Sequence, residues 1–187
     1  MKIGITGGIG SGKSYVCRLL QQRGYEVYDC DSAAKRLIRT SPEIRQELTA
    51  LIGPDAYLEE NILNKKAVAE FLLASEENAH AIDRIVHPAV FRDFIESGMQ
   101  WMESAIIFES GIYRLVDCVI VVTAPEEVRI QRVMRRDSIS REKVLEWMGR
   151  QLPQNVVREN ADYEIVNDGV ADLDWQLDSL LEYINKV

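Results

Sequence analysis

Hydrophobic and polar positions change period twice within the first thirty residues. Lys2-Ile3-Gly4-Ile5-Thr6 reads as a short strand, and Gly7 to Gly12 as a glycine-rich loop. From Lys13 to Arg23 the apolar positions fall at Val16, Leu19 and Leu20, the spacing of one helix face. Gly24 closes that helix, where positive φ is easiest. Tyr25 to Asp29 is a second strand. Strand, helix, strand predicts a βαβ unit with parallel strands.

Three later runs extend the sheet. Ser104 to Phe108 is short and apolar, as a buried parallel strand should be, and Cys118 to Val122 is rich in β-branched residues. Tyr163 to Asn167 supplies a weaker fifth strand. A closing helix is predicted over 170–185, with Leu173, Leu177, Leu180, Leu181 and Ile184 on one face. Between Asp31 and Met102 no strand is evident. The segment reads as helices broken at Pro42, Gly53-Pro54 and His87-Pro88, and it exceeds a simple crossover. Part of it is expected to be an inserted subdomain. No internal repeat or long linker interrupts the pattern.

Composition narrows the class. At 187 residues, 47% hydrophobic and 28% charged, the chain suits one globular α/β domain with additions. A net charge of −8 argues against a broad nucleic-acid or anionic-membrane surface. No apolar run approaches the ~18 residues of a membrane span, and the stretch Ile3–Thr6 is too short for a signal peptide. A soluble cytoplasmic protein is expected. Cys17, Cys30 and Cys118 lie far apart, which predicts free buried thiols and neither a zinc site nor a disulfide framework.

Chemistry enters with Gly7-Gly8-Ile9-Gly10-Ser11-Gly12-Lys13-Ser14, a full G-x-x-x-x-G-K-[ST] phosphate loop lying between a strand and a helix. Glycines let backbone N–H groups approach phosphate oxygens, and the helix N-terminus adds its positive end. Lys13 can reach the β- and γ-phosphates of a nucleoside triphosphate, and the Ser14 hydroxyl can ligate Mg²⁺. A GTP switch is disfavoured, because no Asp-x-x-Gly occurs and Asn64-Lys65-Lys66-Ala67 lacks the base-reading aspartate. A motor ATPase would show an apolar strand ending in Asp. The nearest match, Ala105-Ile106-Ile107-Phe108-Glu109, ends in Glu, and the chain is short for such machines. A small kinase remains.

Two further features support phosphoryl transfer. Asp31 follows the second strand at the edge where parallel sheets bind ligands, so its carboxylate can accept or orient an acceptor hydroxyl. It can also serve as the N-cap of the next helix. Residues 129–158 carry net +5, against −13 for the remainder, with Arg132 and Arg136 on one helix face. Arginine forks suit phosphate oxygens, so this segment reads as a lid over the transferring phosphates. Two other classes stay open: a kinase for another small acceptor such as a nucleoside monophosphate, and a nucleotide-binding regulatory or assembly module.

The ordered set of motifs resembles the dephospho-CoA kinase family over nearly the whole chain. The opening Thr6 to Ser14, Asp29-Cys30-Asp31 with Ala34 and Lys35, and His87-Pro88 carry the first half of the likeness. Phe108-Glu109-Ser110-Gly111 with Leu115-Val116-Asp117, Arg136-Asp137, Arg150-Gln151, Ala161-Asp162-Tyr163, Asn167 and Gly169 carry the second. Glu103-Ser104-Ala105 stands where the family often writes an Asp and a Pro, and Tyr15 stands where Thr is common.

The resemblance implies a three-layer P-loop kinase fold of the nucleoside-monophosphate-kinase kind, with a five-stranded parallel sheet. A helical CoA-binding insert would lie at about 43–102 and a lid at about 132–160, all within one domain of residues 1–187. The implied reaction is transfer of the ATP γ-phosphoryl group to the 3′-hydroxyl of the dephospho-CoA ribose. Asp31, Lys13 and Arg136 would be catalytic. Gly8, Gly10, Ser11, Gly12, Lys13, Ser14, Tyr15, Arg132, Arg136 and Arg150 would bind ATP. Asp31, Lys35, His87 and Glu109 would bind the second substrate, and Ser14 would hold Mg²⁺. The partners would be ATP and dephospho-CoA, with no nucleic acid and no membrane, in a monomer or small homo-oligomer.

Overall fold

β1 (Ile3–Thr6) is the middle strand of a five-stranded parallel sheet with spatial order β2-β3-β1-β4-β5. This computed structural model describes residues 1–59 and 62–186. Positions 60 and 61, inside the expected insert, and 187 lie outside them. The remaining strands are β2 (Val27–Asp29), β3 (Trp101–Glu103), β4 (Cys118–Thr123) and β5 (Tyr163–Val166). β1 pairs in parallel with β3 (Ile5 opposite Glu103) and with β4 (Thr6 opposite Val121), so the chain leaving β1 is flanked by both strand ends. β4 in turn pairs with β5. All six residues of β4 are buried, which accounts for its unbroken β-branched run.

The described residues divide between two compact units, one drawn from 1–28 and 99–186 and the other from 29–98. In the first, α1 (Lys13–Gln22) lays Val16 and Leu20 on the sheet residues Ile3, Ile5, Ile120 and Val122. α9 (Leu173–Ile184) adds Leu177 and Leu180 to the same core. It begins three residues later than its apolar spacing suggests, because Asp172 caps it by accepting from the Trp175 N–H at 3.1 Å. α6 (Glu126–Asp137), α7 (Arg141–Met148) and α8 (Gln154–Glu159) complete this unit. Ile130, Val133 and Val144 form a separate small core between α6 and α7.

The third strand is not the run expected. Ser104 to Phe108 lies outside the sheet, and the strand is Trp101–Glu103, which begins at the end of the stretch read as helical. The last sheet bond here is Ser104 N–H to Ile5 O at 3.0 Å. The chain then turns, with Ser104 Oγ accepting from the Ile106 N–H at 3.3 Å. The apolar character of the run has another cause: Ile107 is fully buried against Gly4, where a Cβ would collide with its Cδ1.

The second unit holds α2 (Cys30–Thr40), α3 (Pro42–Ile52), α4 (Lys65–Ala74) and α5 (Glu76–Ser97). Its core joins Ile44, Leu48 and Ala89 to Leu37, Ile38, Ile82 and Ile85. Pro42 and Gly53-Pro54 bound helices as expected: Ser41 caps α3 with Pro42 in its first turn, and Gly53 ends it at φ 121°. His87-Pro88 breaks nothing, since α5 runs through it for 22 residues. An interior proline costs about 3 kcal/mol. Burial of Val86, Ala89, Val90 and Phe94 along the same helix offsets that cost.

Candidate nucleotide-binding site

The loop from Gly7 to Gly12 folds back on itself through Ser11 N–H to Gly8 O at 3.0 Å. Gly12 sits at φ 88°, and a Cβ there would strike Asn167 Nδ2, so only glycine fits. α1 starts at Lys13 without a side-chain cap and with no acidic residue in its first turn. Its free N–H groups and positive end are therefore open to an anion. Ser11 is fully buried, and its Oγ has no hydrogen-bond partner.

Lys13 points at the sheet, where its Nζ lies 3.4 Å from Glu103 Oε2; both side chains are close to nine-tenths buried. Glu103 ends β3 directly beside β1. Its buried Oε2 has no hydrogen-bond partner beyond this ion pair. The acid at the end of an apolar strand is thus Glu103, and Glu109, the nearest sequence match, lies in the turn beyond. The pattern Trp101-Met102-Glu103 contained the signal, but its brevity hid it. Among the described residues no group of three or more His, Cys, Asp or Glu could hold a metal by itself. Glu103 supplies one buried carboxylate and Ser14 one hydroxyl in the first turn of α1; together with phosphate oxygens these are the hard oxygen donors that suit Mg²⁺.

Side chains from beyond β4 brace the loop. Arg132 Nη1 donates to the carbonyls of Gly10 (3.4 Å), Ser11 (3.3 Å) and Asn167 (2.9 Å). Asn167 Nδ2 donates to Ser11 O at 2.9 Å. Arg129 Nε donates to Ile9 O at 2.9 Å, and Gln151 Oε1 accepts from the Ile9 N–H at 2.8 Å. Burial holds the Arg129 guanidinium below its ordinary pKa. The sequence marked Arg129 and Arg132 only as members of a basic segment, without distinguishing the arginines that meet the loop from the exposed ones.

The dephospho-CoA kinase family model matches residues 1–172 of 187. This chain belongs to the dephospho-CoA kinase family. A dephospho-CoA kinase of Bacteroides fragilis is 39% identical over 98% of this chain and 93% of its own. A crystal structure from Thermus thermophilus superposes with a TM-score of 0.84 at 35% identity, covering 98% of this chain and 97% of that one. A shikimate kinase from Acinetobacter baumannii shares the fold at a TM-score of 0.58 and 18% identity, covering 99% of this chain and 93% of its own. The fold is therefore that of P-loop kinases, and the family uses ATP.

The other residues expected to serve a dephospho-CoA kinase occupy varied settings. In the first unit, Tyr15 is exposed, with the Arg18 guanidinium 5.6 Å from its ring centre. Arg136 is exposed and forks the neighbouring Asp137 at 2.9 and 2.7 Å, which raises the Arg136 pKa and lowers that of Asp137. Arg150 pairs with Glu146. Glu109 Oε1 accepts from the Leu152 N–H at 3.2 Å.

In the second unit, Asp31 is exposed in the first turn of α2 and is not the cap. Asp29 caps, accepting from Ser32 N–H at 3.0 Å and Ser32 Oγ at 2.6 Å, which frees the Asp31 carboxylate. Lys35 is exposed on the same helix. His87 lies 3.5 Å from Asp83 and stacks on Phe91 at 6.2 Å. All three cysteines are buried and outside any disulfide, and among the described residues no helix is long and apolar enough to cross a membrane.

Proposed function

We propose that this chain transfers the γ-phosphoryl group of ATP to the 3′-hydroxyl of the dephospho-CoA ribose, giving CoA and ADP. Membership of the family supports the acceptor. The observation that carries the chemistry is the uncapped start of α1, with Lys13 and Glu103 paired at 3.4 Å beside it. The loop residues Gly8 and Gly10 to Tyr15 hold the triphosphate, and Lys13 leaves Glu103 for the β- and γ-oxygens. Ser14 would hold Mg²⁺, with the Glu103 carboxylate as a further oxygen donor, and the ion would neutralise phosphate charge.

Asp31 orients the ribose hydroxyl and takes its proton as the oxygen attacks the γ-phosphorus. The bond from that phosphorus to the β-γ bridging oxygen breaks, and ADP leaves. Arg136 and Arg150, on a lid of about 132–160, exchange their carboxylate partners for phosphate oxygens. Arg132 keeps the loop in shape from behind. Lys35, His87 and Glu109 contact the second substrate, and the insert of about 43–102 receives its CoA portion. The enzyme works in the cytoplasm as a monomer or small homo-oligomer, without nucleic acid or membrane.

A coupled ADP-release assay across dephospho-CoA, AMP, CMP and shikimate tests the proposal. Turnover with dephospho-CoA at least a hundredfold above the others is the expected result. Equal or greater turnover with another acceptor overturns it.

A further inference from the structure

Ile9 stands out within the phosphate loop because none of its groups is left for a phosphate. Its N–H donates to Gln151 Oε1 at 2.8 Å, and its carbonyl accepts from Arg129 Nε at 2.9 Å. Its side chain packs into the small core of Ile130, Val133 and Val144. Backbone and side chain alike are thus gripped by the segment from α6 to the start of α8.

The grip centres on one buried residue, with half-buried partners around it. Arg129 is only 6% exposed, and its hydrogen-bond acceptors are neutral: the Ile9 carbonyl and Gln154 Oε1, the latter at 3.4 Å from Nη1. Gln154 Oε1 also accepts from the Ala124 N–H at 3.3 Å, which ties the network to the end of β4. The loop has little room to shift within it: a Cβ on Gly8 would sit 2.5 Å from Arg129 Nη2, and one on Gly10 2.5 Å from the Arg129 carbonyl. A buried guanidinium without a carboxylate acceptor is costly to fold, and it places a positive charge directly behind the phosphate loop.

We propose that Ile9 is a hook through which residues 129–154 set the shape of the phosphate loop, with Arg129 and Gln151 as positioning residues for the nucleotide. Nucleotide binding and the order of α6 and α7 are then coupled, and the coupling is reciprocal. Nucleotide tightens the helices, and loosening the helices weakens nucleotide. The inference rests on the phosphate loop being the nucleotide site and not on which acceptor is used.

The test measures MgADP affinity by calorimetry and amide exchange of α7, with and without MgADP, in Gln151→Leu, Gln151→Glu and Arg129→Lys. Gln151→Leu leaves the half-buried Ile9 N–H without its acceptor, which should weaken MgADP roughly 5- to 100-fold. It should also abolish the nucleotide-induced slowing of exchange in α7. Gln151→Glu keeps the acceptor oxygen and should recover most of both. Arg129→Lys keeps the charge but loses the fork, and should behave like Gln151→Leu even where that variant fails to fold. Wild-type affinity and protection in the folded leucine and lysine variants would overturn the hook. So would an affinity loss that the glutamate variant does not relieve. Failure of the wild-type chain to bind MgADP would instead overturn the nucleotide site itself.

Discussion

Replacing Glu103 by Gln separates the two tasks that the ion pair with Lys13 implies. At 3.4 Å and an effective dielectric of ~20, the Coulomb attraction is about 5 kcal/mol. Desolvation of two largely buried charges cancels much of that, so the pair adds little net stability. Removing one partner is a different matter. Lys13 then sits charged and buried beside a neutral amide, and such breaks cost about 3–5 kcal/mol.

For a chain of this length, each kcal/mol lowers the melting temperature by about 2–4 °C, so the nucleotide-free Glu103→Gln protein should melt roughly 6–20 °C lower. Nucleotide should restore most of the loss, because the phosphates give Lys13 its missing counter-charge. ATP without Mg²⁺ should bind the variant more tightly than wild type, since Lys13 no longer has to leave a carboxylate. The gain in affinity on adding Mg²⁺ should shrink, since a carboxylate proposed as an oxygen donor to the ion is gone. Differential scanning fluorimetry with and without ATP, followed by calorimetry with and without Mg²⁺, reads all three quantities. A melting temperature within 2 °C of wild type together with an unchanged Mg²⁺ effect would refute both roles of Glu103.

Asp31→Ala should reduce kcat by roughly 10²–10⁴ while leaving the melting temperature nearly unchanged, because the cap of α2 is Asp29. The control Asp29→Ala should lose about 1 kcal/mol of stability, and the two effects are separated by steady-state kinetics beside thermal melts. Cys118 is buried beside Asp117 and Asp162. Its thiol, ordinarily near 9, is pushed up to about 11, by burial first and then by these carboxylates. The folded state therefore keeps a proton that the unfolded state loses. Stability from this group is full below pH 9 and falls as pH rises from about 9 to about 11. Melting curves across that range should show the decline, and Cys118→Ala should flatten it.

The strands of the core were legible where one cause dominates the sequence. β1 and β4 are buried on both faces, so an apolar run marks each; the glycine loop and its lysine carry a pattern with few alternatives. β3 was misplaced because three residues give too little pattern, while Ile106-Ile107-Phe108 imitates a strand by plugging the space over Gly4. Pro88 misled for the opposite reason: the local rule against interior proline is real, and tertiary burial along α5 outweighs it. Asp29 and Asp31 are both plausible caps by residue type. Only the bonds of Ser32 to Asp29 decide between them.

The arginines show what composition could not resolve. The net +5 of residues 129–158 suggested a single basic surface aimed at phosphate, but the structure divides it by depth. Arg129 and Arg132 are spent on backbone carbonyls of the loop and Ile9, where they fix shape. Arg136, Lys143 and Arg150 sit exposed, each paired with a nearby carboxylate: Asp137, Glu146 and Glu146 again. Exposed pairs of this kind are screened by water and add little stability, so a triphosphate can displace them at little cost. A buried guanidinium cannot be redirected so cheaply. In the proposed reaction the two sets therefore divide the work. The inner pair holds the cradle in one geometry through every turnover, and the outer set trades carboxylates for phosphate and back again as nucleotide enters and leaves.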